Sequence, residues 1–172
     1  TVIEASDFPC AFLGSCLVTG GGIVLNLVVS SLAGYALARW KSVWSHVLTL
    51  VFLSSMFVPF HTIMIALLST AKSLGLTGHL WGLVLIYCGL QCTIPIFLIK
   101  GFVSSVPKEL EEAAMIDGCN PLQTYFKVVF PLLRPTMVSV AILEAMWIWN
   151  DYLLPSLTLT SNANKTIPVM TS

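Results

Sequence analysis

Charge is what this chain has least of. Asp, Glu, Lys and Arg make up 9% of its 172 residues, against about 25% in an average soluble domain. A soluble fold needs a polar surface, and a chain that is 56% hydrophobic with a mean hydropathy of +0.89 does not supply one. A positive excess is missing too. The formal net charge is +0, so no basic field exists to hold nucleic acid. The phosphate loop Gly-x-x-x-x-Gly-Lys-Ser/Thr does not occur. The five cysteines show no metal-ligand spacing. Cys88 and Cys92 can share a helix face, but two thiolates alone do not make a zinc site, and they read as small buried hydrophobes. The start, Thr1-Val2-Ile3-Glu4, has no Met and no basic n-region, so it is not a signal peptide. The end stops in the polar stretch "NANKTIPVMTS". The expectation is a piece of a longer protein, with at least one membrane span missing on each side.

What the chain does have is long uncharged runs. No Asp, Glu, Lys or Arg lies between Asp7 and Arg39, between Lys41 and Lys72, or between Lys72 and Lys100. Each run is long enough for one crossing of about 20 apolar residues, and none is long enough for two crossings with a loop. A fourth stretch is apolar except for Arg134, Glu144 and Asp151. The expected spans are 11–38, 43–68, 80–99 and 132–154. Backbone facing lipid must be paired internally, so each span is a helix or part of a closed barrel. Barrel strands alternate apolar and polar residues; these runs are uniformly apolar, so the expected fold class is an all-α polytopic membrane bundle. Residues 1–172 form a single unit without internal repeat or linker.

Lys and Arg set the expected orientation. Arg39, Lys41, Lys100, Lys108, Lys127 and Arg134 belong on the cytoplasmic side, and Lys72 and Lys165 on the other. Within the spans, the small residues around Gly20-Gly21-Gly22 suit close helix packing, and Asn26 suits an interhelical hydrogen bond. Pro59 is expected to kink the second span. His61 is an intramembrane ionisable residue and so a candidate for the pathway. Trp81 and Tyr87 flank the third span as candidate interface anchors.

The loop 105–131 departs from the greasy background. Ser105 suits a helix N-cap and Pro107 the first turn. Glu109, Glu111 and Glu112 suit the positive end of a helix dipole. Ala113 and Ala114 favour helix, and Gly118 fits the position just past a helix end. Asn120-Pro121 then restarts a helix, which Pro131 separates from the fourth span. The result is a helix–turn–helix fixed between two spans, with Leu110, Met115 and Ile116 exposed and in need of a partner.

This stretch, "EEAAMIDGCNPLQTYFKVVFP", resembles the EAA loop of permease subunits of bacterial binding-protein-dependent ABC importers. Glu112, Ala113, Ala114, Gly118, Val128, Phe130 and Pro131 fill its pattern, with Glu111 and Asp117 beside them. "IDGC", "SLAGYALARW", "VPFHTIMIALL" and "WIWNDYLLP" resemble the carbohydrate-uptake branch, the maltose-type inner permease and its relatives. The chain departs from that pattern at Gly14-Ser15, His61, Ala66 and Glu144. The resemblance implies a type I permease bundle of six spans, the first and last absent here. It implies half of a sugar pore in the bacterial cytoplasmic membrane, partnered by a second permease subunit, two ATPase subunits and an extracytoplasmic solute-binding protein. ATP hydrolysis is then expected on the separate ATPase subunit, not on this chain, and no cofactor or metal is expected.

Glu144, Trp147 and Asp151 are spaced i, i+3, i+7 and share a helix face, with Asn150 near its edge. Carboxylates bind sugar hydroxyls and an indole can stack on a pyranose, so this stripe is a candidate lining of the translocation path. The rival reading pairs Glu144 with a polar group across helices. At the level of function the alternatives are a permease for a peptide, osmolyte or phosphonate, an ion-coupled secondary transporter, and a membrane scaffold. The ion-coupled reading wants several intramembrane acids and inverted repeats.

Overall fold

A computed structural model of the chain describes residues 8–159 and 166–170. Its regular structure among these residues is entirely helical. Two helices are long and apolar enough to cross a membrane: α1, Phe8–Arg39, and the rod Pro121–Asn150. Two bent pairs raise the number to four if each is one span.

The centre of the bundle is α1, which packs on the third, fourth and expected second-span segments at once. Its buried residues are mostly small: Gly14, Ser15, Gly22, Ser30, Ser31 and Gly34. Lipid tails are as apolar as leucine, so helices in a membrane associate through close packing rather than hydrophobic exclusion. Gly34 shows the requirement directly. A Cβ there would stand 3.0 Å from the Cβ of Ile99 and 3.1 Å from the Ile96 carbonyl oxygen. The three glycines at 20–22 neither break nor end α1.

The expected second span, 43–68, is not one helix. It is α2, Val43–Ser55, and α3, Phe60–Ser73, meeting at 102°. Proline lacks an N–H and pushes the residue before it out of the helical region. The turn ahead of Pro59 accordingly tightens to i→i−3 bonds from Met56, Phe57 and Val58. The expected third span, 80–99, is α4, Leu80–Gln91, and α5, Thr93–Ser105, bent by 54° at Cys92. Pro95 explains this bend, since it has no N–H to give to the Gln91 carbonyl. The helix continues to Ser105, so Ser105 ends α5 rather than capping the next helix, and its hydroxyl donates to the Phe102 carbonyl at 2.7 Å.

Next come α6, Glu109–Ile116, α7, Pro121–Thr124, a π turn over Tyr125–Val129, and α8, Phe130–Asn150. Pro131 was expected to separate the second loop helix from the last span. Instead α7, the π turn and α8 run on as one 30-residue rod. In the π turn Phe130 N–H donates to the Tyr125 carbonyl, which carries the ladder past Pro131. The fourth span then ends at Asn150, short of 154. Asp151 is extended, and α9, Leu153–Thr158, turns away. The short α10, Ile167–Met170, lies against α1, with Ile167 N–H donating to Ser15 Oγ at 2.9 Å.

Two apolar clusters hold the bundle. One gathers Val18, Leu83, Ile86, Tyr87, Ile148 and Leu154. The other gathers Ile99, Val103, Tyr125, Val129 and Leu133 below α6.

Candidate functional site

The helix–turn–helix is closed by local chemistry at each joint. Three acids occupy the first turn of α6, where the helix dipole favours them. At its other end Gly118 has φ +86°, a left-handed conformation that costs a residue with a Cβ. Gly118 N–H donates to the Met115 carbonyl and Cys119 N–H to the Ala114 carbonyl, both at 3.0 Å. That crossed pair is a Schellman motif and satisfies two of the last carbonyls of α6. Asn120 and Gln123 then form a reciprocal capping box, at 2.8 and 3.0 Å, with Pro121 in the first turn of α7.

The acids of α6 do not play one part. Glu112 is exposed, with Ala113, Asp117 and Gly118 on the outside and Ala114 half-buried. Glu111 is 5% exposed and turns inward. Its carboxylate accepts from Arg39 Nε at 2.7 Å and from Tyr35 OH at 2.8 Å, and Arg39 Nη2 completes the ion pair. Arg39 Nη2 also donates to the Val106 carbonyl at 3.1 Å. A second tie lies above it: Tyr125 OH donates to Ser31 Oγ at 2.8 Å, and the Tyr35 and Tyr125 rings are 5.1 Å apart. The last two turns of α1 therefore clamp both α6 and the start of the final rod. Beside the clamp, partial burial and the neighbouring cations Lys41 and Arg39 hold the Lys108 ammonium below its ordinary range. The outer face carries Leu110, Met115 and Ile116, the last 86% exposed, and continues into Leu122 and Phe126. Val128, Phe130 and Pro131 are half-buried where the rod joins the bundle.

The second region lies where the two helix breaks face the end of α8. A cleft of about 770 Å³ is lined there by residues of all four broken helices, with Trp147, Asn150 and Asp151 from the last span. Glu144 is not among the lining residues. It is 2% exposed and faces α1, where Asn26 Nδ2 donates to its Oε1 and Ser30 Oγ donates to Asn26 Oδ1 at 2.7 Å. The stripe divides because Val140, Glu144 and Ile148, four residues apart, form the face buried on α1. Trp147 lies on the flank that opens to the cleft. His61, one residue from the lining Phe60, is exposed and not part of the lining. Asp151 leaves the helix, accepts from Tyr87 OH at 2.7 Å, and caps α9 through Leu153 N–H at 2.9 Å. Tyr87 is thus a buried polar partner rather than an interface anchor.

Arg39, Tyr35 and Gln91 were not expected at these places. In the sequence Arg39 stands as a topology marker and, with Tyr35, within the stretch "SLAGYALARW", neither of which points to Glu111. Gln91, the one amide in an apolar run, was a signal open to view.

The described residues thus form an all-helical bundle with a helix–turn–helix braced against α1 and a cleft at two helix breaks. The chain belongs to the family of binding-protein-dependent transport system inner membrane components, which it matches over residues 22–171. It is 38% identical to the probable starch degradation products transport system permease protein AmyC of Thermoanaerobacterium thermosulfurigenes, over 93% of this chain. It is 34% identical to the multiple sugar-binding transport system permease protein MsmG of Streptococcus mutans, over 92% of this chain. In structure it is similar to a chain of a bacterial ABC transporter involved in the import of the acidic polysaccharide alginate. That match has a TM-score of 0.87 and 25% identity, over 98% of this chain. The chain spans 58% of the length of each of these three.

Proposed function

We propose that this chain supplies the membrane-embedded part of one permease subunit of an ATP-driven importer for a sugar or oligosaccharide. In that role it forms half of the translocation pore and receives force from a separate ATPase subunit through α6. A second permease subunit completes the pore, two ATPase subunits sit on the cytoplasmic side, and an extracytoplasmic binding protein delivers the solute. The single observation that carries this reading is the projecting α6. It offers Glu112, Met115 and Ile116 outward while Glu111 ties its back to α1, so a push on the outer face moves the bundle instead of bending a loop. The sugar class is supported by relatives named for starch products and multiple sugars and by a cleft lined with an indole and hydroxyl- and amide-bearing side chains.

The test is a cross-link. An Ile116→Cys variant of the full-length protein, expressed with its neighbouring genes, is expected to link to an ATPase subunit under mild oxidation. A cysteine at exposed Val138, on α8, is expected to give no such link. Equal linking at both positions, or at neither, would remove the docking role from α6.

A further inference from the structure

The turn between α1 and α2 meets the start of α6 in a knot of positive charge. The membrane-crossing helix α1 ends at Arg39, so Trp40, Lys41 and Ser42 lie where the chain leaves the hydrocarbon. Lys108 immediately precedes α6. Its ammonium stands within hydrogen-bond reach of the Lys41 ammonium, with Arg39 nearby. An ammonium carries donors only, so neither lysine satisfies the other, and like charges this close repel. Arg39 is committed to Glu111 and to the Val106 carbonyl. Glu111, which partly offsets the charge felt by Lys108, is already shared by Arg39 and Tyr35. No carboxylate among the described residues pairs with Lys41 or Lys108. An anion between the two lysines would turn their repulsion into a shared attraction.

The surroundings say what kind of anion fits. The first turn of α2 holds no acid, so the positive end of its dipole is not offset and adds to the field of Lys41. Trp40 and Trp44 are 51% and 66% exposed. An indole with an apolar body and a polar N–H suits the headgroup level of a bilayer. Val43, Val47 and Leu50 are exposed and spaced i, i+4, i+7. They make an apolar strip that leads along α2 from the lysines into the membrane. A free phosphate would use the charges and leave the indoles and the strip without a role. An acidic protein segment would leave the strip unused as well. A phospholipid with a negative headgroup uses all three, and juxtamembrane Lys and Arg are drawn to such lipids.

We propose that Lys41 and Lys108 form a headgroup site for an anionic phospholipid, with Trp44 at its rim and the acyl chain along Val47 and Leu50. The lipid phosphate joins the end of α1 to the start of α6 beside the Arg39–Glu111 clamp, and so fixes the base of the projecting helix at the bilayer surface. The site requires a membrane protein and no ATPase, so it can fail while the importer reading stands.

The test uses the full-length protein purified with its partner subunits in detergent and stripped of lipid. Its melting temperature is followed while dioleoylphosphatidylglycerol, dioleoylphosphatidylcholine or glycerol 3-phosphate is added. A ligand of the folded state raises that temperature by mass action. A saturable rise with phosphatidylglycerol, and none with the other two at the same concentration, is expected. The double variant Lys41→Gln/Lys108→Gln is expected to raise the half-saturating concentration about thirtyfold. Without lipid, its melting temperature is expected to match or exceed the wild-type value, because the repulsion is gone. Lys41→Arg/Lys108→Arg keeps both charges and is expected to keep the response, as is Lys72→Gln on α3. An equal rise with phosphatidylcholine, or an unaltered response in the glutamine variant, would overturn the proposal. The same rise with glycerol 3-phosphate would make this a site for a free anion instead. A glutamine variant that releases its ATPase yet keeps the phosphatidylglycerol response would assign the two lysines to the ATPase.

Discussion

The Arg39 guanidinium at the end of α1 grips the Glu111 carboxylate of α6, with Nε donating at 2.7 Å and Tyr35 OH joining at 2.8 Å. The contact ties the projecting helix to the central helix of the bundle, and both partners are largely removed from solvent.

Breaking one side of a buried pair leaves an uncompensated charge and costs about 3–5 kcal/mol, while replacing both partners by apolar groups is often close to neutral. Arg39→Met and Glu111→Leu are therefore each expected to lower the melting temperature of the full-length protein markedly. The double variant is expected to recover most of the loss. Simple additivity of the two single effects would mean that the pair does not act as a unit.

Much of the bundle could be read from charge-free run lengths, because the cost of a bare polar group in hydrocarbon leaves few solutions. The glycine turn at 118 and the Asn120-Pro121 restart were legible for a similar reason, since each is fixed by local backbone chemistry. The bends were harder. Pro59 was seen as a kink and proved to be a 102° break, and Pro95 went unused although its missing N–H acts on a residue four positions earlier. The inward turn of Glu111 was hidden, because three acids in one helical turn look alike until a partner 72 positions away selects one of them.

Glu144 is expected to behave as a packing residue. Glu144→Gln keeps an acceptor for Asn26 and is expected to leave uptake at the wild-type level. Glu144→Leu strands the buried Asn26 amide and is expected to cost about 1–3 kcal/mol, read as a lower melting temperature. A loss of substrate affinity in Glu144→Gln without a loss of stability would instead place the carboxyl on the path.

The close approach of α1 and α5 predicts a contrast between two glycines. Gly34→Ala drives a methyl into Ile99 and the Ile96 carbonyl and is expected to destabilise by about 1–3 kcal/mol. Gly20→Ala meets nothing within 4 Å and is expected to be neutral or slightly stabilising. Thermal melts of the two full-length variants in one detergent check the pair.

Gly118→Ala places a Cβ on a left-handed residue, at a cost of about 1–2 kcal/mol. The loss is confined to the joint between α6 and α7. Association with the ATPase is expected to weaken more than the melting temperature of the membrane bundle falls. An equal loss in both would spread the effect beyond that joint.

The most direct measurement is co-purification of an ATPase subunit with the tagged full-length protein, comparing wild type with Glu112→Lys. Glu112 is exposed on the outer face of α6, so its reversal leaves the Arg39–Glu111 clamp untouched. The ATPase is expected to accompany the wild type and to be lost from an equally stable Glu112→Lys protein. An intact wild-type protein that brings no ATPase would contradict the importer reading, and retention by Glu112→Lys would contradict docking through this face of α6.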